Sequence, residues 1–223
     1  RYPGYAGLNL THEVLGGQKR RVDKSTAQAI APLLEVQVVD LADSITYDAH
    51  DIDDAVELDW LTMDELRVLP IIATCEHTVV DRFGPLRGDA LRRAIVHELI
   101  NLQVVHLIHE AEQSLEELEG CSAQDVSRSG FQLSTPSLLA EEKNSLETFL
   151  HDRLYRHRGL MEGRRRAQQQ LIELAEAYSQ QPELMPTQFQ ARSESWGPRR
   201  AAVECIGAMT DHSFLAAYHE VTG

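Results

Sequence analysis

Over residues 34–56 (LEVQVVDLADSITYDAHDIDDAV) the apolar side chains Val38, Leu41, Ile45, Ala49, Ile52 and Val56 recur at intervals of three and four. At about 100° per residue this spacing gathers them along one side of a helix. A strand, with its period of two, would scatter them over both faces. The other side of the helix collects Asp40, Asp43, Tyr47, Asp51 and Asp54, separated by three, four, four and three residues. The stretch reads as an amphipathic helix with an acidic, tyrosine-containing face. Such a face is either a solvated helix surface or a metal and phosphate site.

The rest of the chain has the same grammar. Strand-like alternation of Val, Ile and Thr is scarce and helix formers fill long stretches, so the expected class is all-α. At 223 residues and 43% hydrophobic the chain is long enough to bury a sizeable core. No run approaches a membrane span, and the start, RYPGYAGLNLT, lacks the charged and apolar regions of a signal peptide, so the expected location is the cytoplasm. Cys75, Cys121 and Cys205 are odd in number and unpaired in spacing, which indicates neither a disulfide framework nor a zinc knuckle. A net charge of −14 argues against a broad, non-specific grip on nucleic acid.

In order, the patterns predict a short helix ended by Gly16-Gly17, a basic loop over 18–24, a brief helix over 26–33, and the acidic helix to about residue 58. A short helix over 59–69 is expected to stop at Pro70. Residues 71–75 (IIATC) fit a strand or a buried helical turn equally well. The longest helix is expected over 87–118, with Leu91, Ile95, Leu99, Leu102, Val105 and Ile108 at helical spacing. Residues 121–137 read as a serine-rich connection with an extended piece at 131–133. Further helices are expected over 137–157, 163–178, 199–209 and 211–221, with a mobile polar segment over 189–198.

Four segments, in order, carry a family resemblance: GLNLTHEVL at 7–15, LEVQVVDLADSITYDAHDIDDA at 34–55, FLHDRLYRH at 149–157 and RRAAVECIGAMTD at 199–211. They resemble the deoxynucleoside triphosphate triphosphohydrolases of the HD metal-dependent phosphohydrolase superfamily, the dGTPase-like enzymes. The second segment is the most specific, because these enzymes carry Asp, Tyr and Asp at the same four-residue intervals within A-D-x-I-x-Y. The resemblance implies a partial HD-domain-like helical bundle with additional C-terminal helices. It assigns residues 1–70 to the C-terminal part of the HD-type catalytic core and 71–223 to a helical region that completes the substrate pocket and makes oligomer contacts.

On residues, the resemblance implies Asp43 as ligand of a divalent metal (Mg²⁺, Mn²⁺ or similar), the other ligands in the family being a histidine and an adjacent His-Asp pair. It implies Tyr47 packed against deoxyribose and Asp51 accepting from the 3′-hydroxyl. LHDRLYRH is similar to the matching helix of vertebrate SAM-and-HD-domain triphosphohydrolases, which implies Tyr155 and Arg156 beside the nucleobase. A buried core tyrosine is the alternative for Tyr155. Solvated positions, phosphate contacts and subunit contacts are the alternatives for Arg153, Arg158 and Arg164 to Arg166.

The implied partners are a deoxynucleoside triphosphate, further copies of the chain in a homo-oligomer such as a hexamer, and a nucleotide or single-stranded DNA effector. Family members carry the first metal histidine, the His-Asp pair and a catalytic histidine-glutamate segment before GLNLT, and the sequence preceding Gly7 holds none of them. His50-Asp51 looks like a His-Asp pair but lies inside the later motif. The expectation is a portion of a triphosphohydrolase with no catalytic residue of its own and no turnover alone. A non-catalytic helical nucleotide-binding or assembly module, and an HD phosphohydrolase acting on nucleoside monophosphates or cyclic nucleotides, are the alternatives.

Overall fold

The computed structural model describes residues 9–22, 31–116 and 118–222, and among these every regular element is helical. They divide into two compact units, one ending at Leu154 and the other starting at Tyr155. The functional division expected after residue 70 runs through the first of them.

The first unit comprises α1 (His12–Val22), α2 (Leu34–Glu57), α3 (Met63–Leu66), α4 (Pro70–Phe83), α5 (Gly88–Glu116), α6 (Ala123–Ser129) and α7 (Ser137–Arg153). Its core forms where α2 and α4 both pack on α5 and α7. Ile45, Ala49, Ile52 and Ala55 of α2 meet Ile71, Ile72, Cys75 and Val79 of α4, Leu91, Ile95 and Leu99 of α5, and Leu146 and Leu150 of α7 in being buried. Each large aliphatic side chain removed from water in this way contributes about 1.5–3 kcal/mol. The alanines of α2 keep its inner face narrow enough for close helix packing.

Several local expectations change. Gly16-Gly17 does not end α1, which continues to Val22. A Cβ on Gly17 would come within 3.0 Å of a Val36 methyl, so this glycine permits the close approach of α1 to α2. Most of the brief helix expected over 26–33 lies outside the described residues, and 31–33 are not helical. Pro70 starts a helix instead of ending one. At the first helical position its missing N–H is one that has no intrahelical partner anyway, and IIATC then forms the buried first turns of α4.

The serine-rich connection contains α6. A capping box starts it, with the Ser122 hydroxyl accepting from the Asp125 N–H at 3.2 Å and the Asp125 carboxylate accepting from the Ser122 N–H at 3.3 Å. Residues 131–136 form no strand. A side chain supplies the pairing instead. The Gln37 amide donates to the carbonyls of Pro32 (2.8 Å) and Phe131 (3.1 Å), and its oxygen accepts from the Leu133 N–H at 2.7 Å.

The second unit comprises α8 (Arg158–Gln180), a 3₁₀ turn (Pro182–Leu184), α9 (Thr187–Trp196), α10 (Pro198–Gly207) and α11 (Asp211–Thr222). The segment expected to be mobile over 189–198 is largely α9, held because Phe189 enters a core with Leu174, Tyr178, Met185, Ala201, Ala202 and Cys205. Leu174 is fully buried at the centre of this core. Its truncation, Leu174→Ala, is expected to lower stability by about 2–5 kcal/mol in urea titrations followed by helical circular dichroism.

Candidate functional site on the acidic helix

Helix α2 is held from its inner side, and that decides what it shows outside. Besides its apolar stripe it buries Gln37 and Asp48. Val38, expected on the apolar side, is 49% exposed, and Leu41 and Val56 are only half-buried. The buried stripe is thus rotated from the one read from spacing, because α5 and α7 pack on the side that carries Ile45, Ala49 and Ile52.

Two charged clamps fix this rotation. Asp48 is 6% exposed, and the Lys143 ammonium on α7 donates to its carboxylate while also lying 3.0 Å from Glu147. Burial pushes the Asp48 carboxyl above its ordinary value, and the lysine opposes that shift. One turn further on, Arg92 of α5 is 4% exposed and donates to the Asp53 carboxylate at 2.5 Å and to Glu57 at 3.0 Å. Neither clamp was visible in sequence. Asp48 falls outside the three-four rhythm of the acidic face, and its partner is distant in the chain.

With α2 so held, Asp43 and Tyr47 project outward on successive turns, Tyr47 being 62% exposed, and Asp51 follows half-buried one turn on. The first unit therefore brings these three sequence-predicted residues onto one helix face. Beside the start of that face lies a cleft of about 440 Å³, lined by Thr11, Glu13 and Val14 of the first motif and by Val36, Val39 and Asp40 of the second. Two segments well separated in sequence thus share one concave surface, one turn before Asp43.

Tyr155 and Arg156 belong to the second unit. Tyr155 is half-buried, with the Arg164 guanidinium 6.0 Å from its ring centroid, and Arg156 is exposed. A cation over a tyrosine face at this distance is an electrostatic attraction to the ring quadrupole.

Among the described residues no group of three His, Cys, Asp or Glu side chains is placed to hold a metal ion. Asp43 is a single exposed carboxylate. His50 is exposed on α2. His106 sits 2.8 Å from its own helix's Leu102 carbonyl, and His109 lies 3.0 Å from the Gln113 amide. These donors do not make a complete metal site. Cys75 is fully buried, and burial pushes its thiol up to about 12, which disfavours the nucleophilic thiolate. No helix among the described residues is long and apolar enough to cross a membrane.

Residues 133–220 match the phosphohydrolase-associated domain. Over nearly its whole length the chain is similar to proteins described as deoxyguanosinetriphosphate triphosphohydrolase-like. It is 31% identical to that of Geobacter sulfurreducens over 96% of this chain and 58% of the relative. It is 33% identical to that of Bradyrhizobium sp. (strain ORS 278) over 99% of this chain and 62% of the relative. With that of Deinococcus deserti the identity is 31% over 100% of this chain and 58% of the relative. The chain thus spans about three fifths of the length of the curated relatives it matches.

Proposed function

Because this chain is similar over nearly its whole length to deoxyguanosinetriphosphate triphosphohydrolase-like proteins and residues 133–220 match the phosphohydrolase-associated domain, we propose that it is part of a metal-dependent enzyme hydrolysing deoxynucleoside triphosphates. The reaction is dNTP plus water to deoxynucleoside and inorganic triphosphate. Water adds at the α-phosphorus and the 5′-oxygen of the sugar leaves with a proton. The observation that supports this reading is that Asp43, Tyr47 and Asp51 follow one another on successive turns of one face of α2, past the end of a cleft that the first and second motifs share up to Asp40.

A divalent ion would supply Lewis acidity and an activated water. Asp43 offers it one hard carboxylate ligand, which is less than such an ion requires, so the chemistry assigned to this chain's own residues is binding and orientation. Asp51 accepts a hydrogen bond from the sugar 3′-hydroxyl. The Tyr47 ring, already outside the core, packs against the deoxyribose where a 2′-hydroxyl would collide with it. Tyr155 offers a stacking face to the base, and Arg156 donates to base or phosphate acceptors.

The 223-residue chain by itself is expected to release no triphosphate from dGTP in the presence of Mn²⁺ or Mg²⁺, since its described residues contain no three-donor metal group. Robust turnover by this chain alone would overturn that expectation. In the full-length protein, chromatographic identification of inorganic triphosphate as the product tests the reaction itself. Release of orthophosphate or pyrophosphate would point to a different phosphohydrolase.

A further inference from the structure

Where α2 ends, a second cleft of about 770 Å³ opens between its last turn, α3 and the start of α5. Its lining lies wholly in the first unit and includes none of the residues assigned to substrate. Four arginines line it, Arg67, Arg87, Arg92 and Arg93. Arg67 is committed, since its Nε and Nη2 donate to Glu76 at 2.7 and 2.8 Å and its Nη1 donates to Asp64. Arg87 and Arg93 are exposed and have no hydrogen-bond or ion-pair partner among the described residues.

Arg92 is buried but only half used. A guanidinium carries five N–H donors on three nitrogens. Its Nη1 donates to the Asp53 carboxylate at 2.5 Å and to Glu57 at 3.0 Å. Its Nε is buried without an acceptor, the Asp89 carboxylate standing 3.8 Å away, and no hydrogen bond engages Nη2 among the described residues. Buried donors are rarely left so, because nothing replaces the water they gave up. The first turn of α5, from Gly88, belongs to the same wall. The leading N–H groups of a helix have no acceptor within it and carry partial positive charge. Of the acidic residues lining the cleft, Glu57 and Asp64 are engaged by Arg92 and Arg67, which leaves Asp59 and Asp89 as exposed carboxylates. These two weaken the attraction for an anion but leave the Arg92 donors open.

We propose that this cleft binds a phosphoryl anion, with Arg92 and the first N–H groups of α5 as fixed donors and the exposed Arg87 and Arg93 as adaptable ones. A phosphoryl group presents three or four oxygens to several donors at once, and its charge suits a helix N-terminus. A carboxylate offers only two oxygens, fewer than the donors left open here. The cleft is of the size that holds small organic ligands, so a phosphate monoester fits it as well as free phosphate does. The proposal does not depend on the reaction assigned above.

Isothermal titration calorimetry of the whole 223-residue chain at constant ionic strength tests it, with inorganic phosphate, glycerol 3-phosphate and acetate in separate arms. A dissociation constant of about 1 mM or tighter is expected for at least one phosphoryl ligand, with no measurable binding of acetate. Equal affinity for phosphate and its ester supports a site for the phosphoryl group alone, and tighter binding of the ester supports one that also uses the remaining volume. Arg87→Gln with Arg93→Gln should weaken binding at least ~10-fold. Both positions are exposed, so circular dichroism should show that variant folded. Arg92→Lys keeps a cation for Asp53 and Glu57 but loses Nε and Nη2, and should weaken binding by as much. The double variant leaves Arg92 in place and carries the test should Arg92→Lys fail to fold. Absence of binding by both phosphoryl ligands overturns the proposal, as does acetate bound as tightly, or affinity unchanged in the double variant or in folded Arg92→Lys. Binding of dGTP with no binding of phosphate or its ester would assign the anion to the substrate residues and overturn it likewise.

Discussion

Replacing Lys143 with methionine is expected to destabilise the protein by about 3–5 kcal/mol at neutral pH, the usual range when one partner of a buried ion pair is removed. Asp48 is 6% exposed and burial already raises its pKa, so without the ammonium its charged form loses its principal compensation. The pH dependence has a definite sign. A carboxyl whose folded pKa lies above the unfolded value, here 3.8, adds stability that is fully present below the unfolded value and disappears as pH rises through the folded one. Removing Lys143 raises the folded pKa further. Lys143→Met should therefore lie closest to wild type in acid and furthest from it at neutral pH, in urea titrations repeated across that range. Adding Asp48→Leu to the same chain should recover most of the loss, since a well-packed apolar pair can replace a buried ionic one. An equal loss at both pH extremes would show that packing of the lysine stem, and not its charge, is what α2 depends on.

Asp43→Ala in the full-length protein is expected to remove triphosphate release from dGTP, a loss larger than the roughly 10–100-fold typical of residues that only support a metal ligand. Asp43 is exposed and outside the core, so the variant should keep the wild-type melting temperature. That separation matters because α2 is also structural. A variant that melts normally and has lost turnover supports the metal-ligand role. Normal turnover would remove Asp43 from the site and favour a non-catalytic nucleotide-binding or assembly role for this helix. Tyr47→Ala offers a graded comparison. Its ring is largely in solvent, so the expected effect falls on discrimination between deoxy- and ribonucleotides, read as a ratio of kcat/KM values, with little effect on stability.

The helical class and most helix positions were legible because periodicity and punctuation are local. Thr210, whose hydroxyl accepts from the Ser213 N–H at 3.3 Å just ahead of α11, acts through a neighbour three residues away. Where punctuation misled, the glycine or proline was answering a neighbour. Gly17 makes room for Val36, and Pro70 occupies a helix start instead of a helix end. Phe189 shows the same for a segment expected to be mobile, since its helix is held by a core to which α8, α10 and Met185 contribute.

By itself the sequence determined that this protein is all-α, that it is similar to dGTPase-like phosphohydrolases, and that Asp43, Tyr47 and Asp51 share a face of one helix. Those properties follow from order and spacing along a single regular element. Only the tertiary structure decided how that helix is rotated, through Lys143 on Asp48 and Arg92 on Asp53 and Glu57, partners 95, 39 and 35 residues away. It also decided that Asp48 goes inward while Tyr47 beside it goes out. Helical periodicity can say which residues lie on the same side, but which side is buried depends on the helices that pack against it.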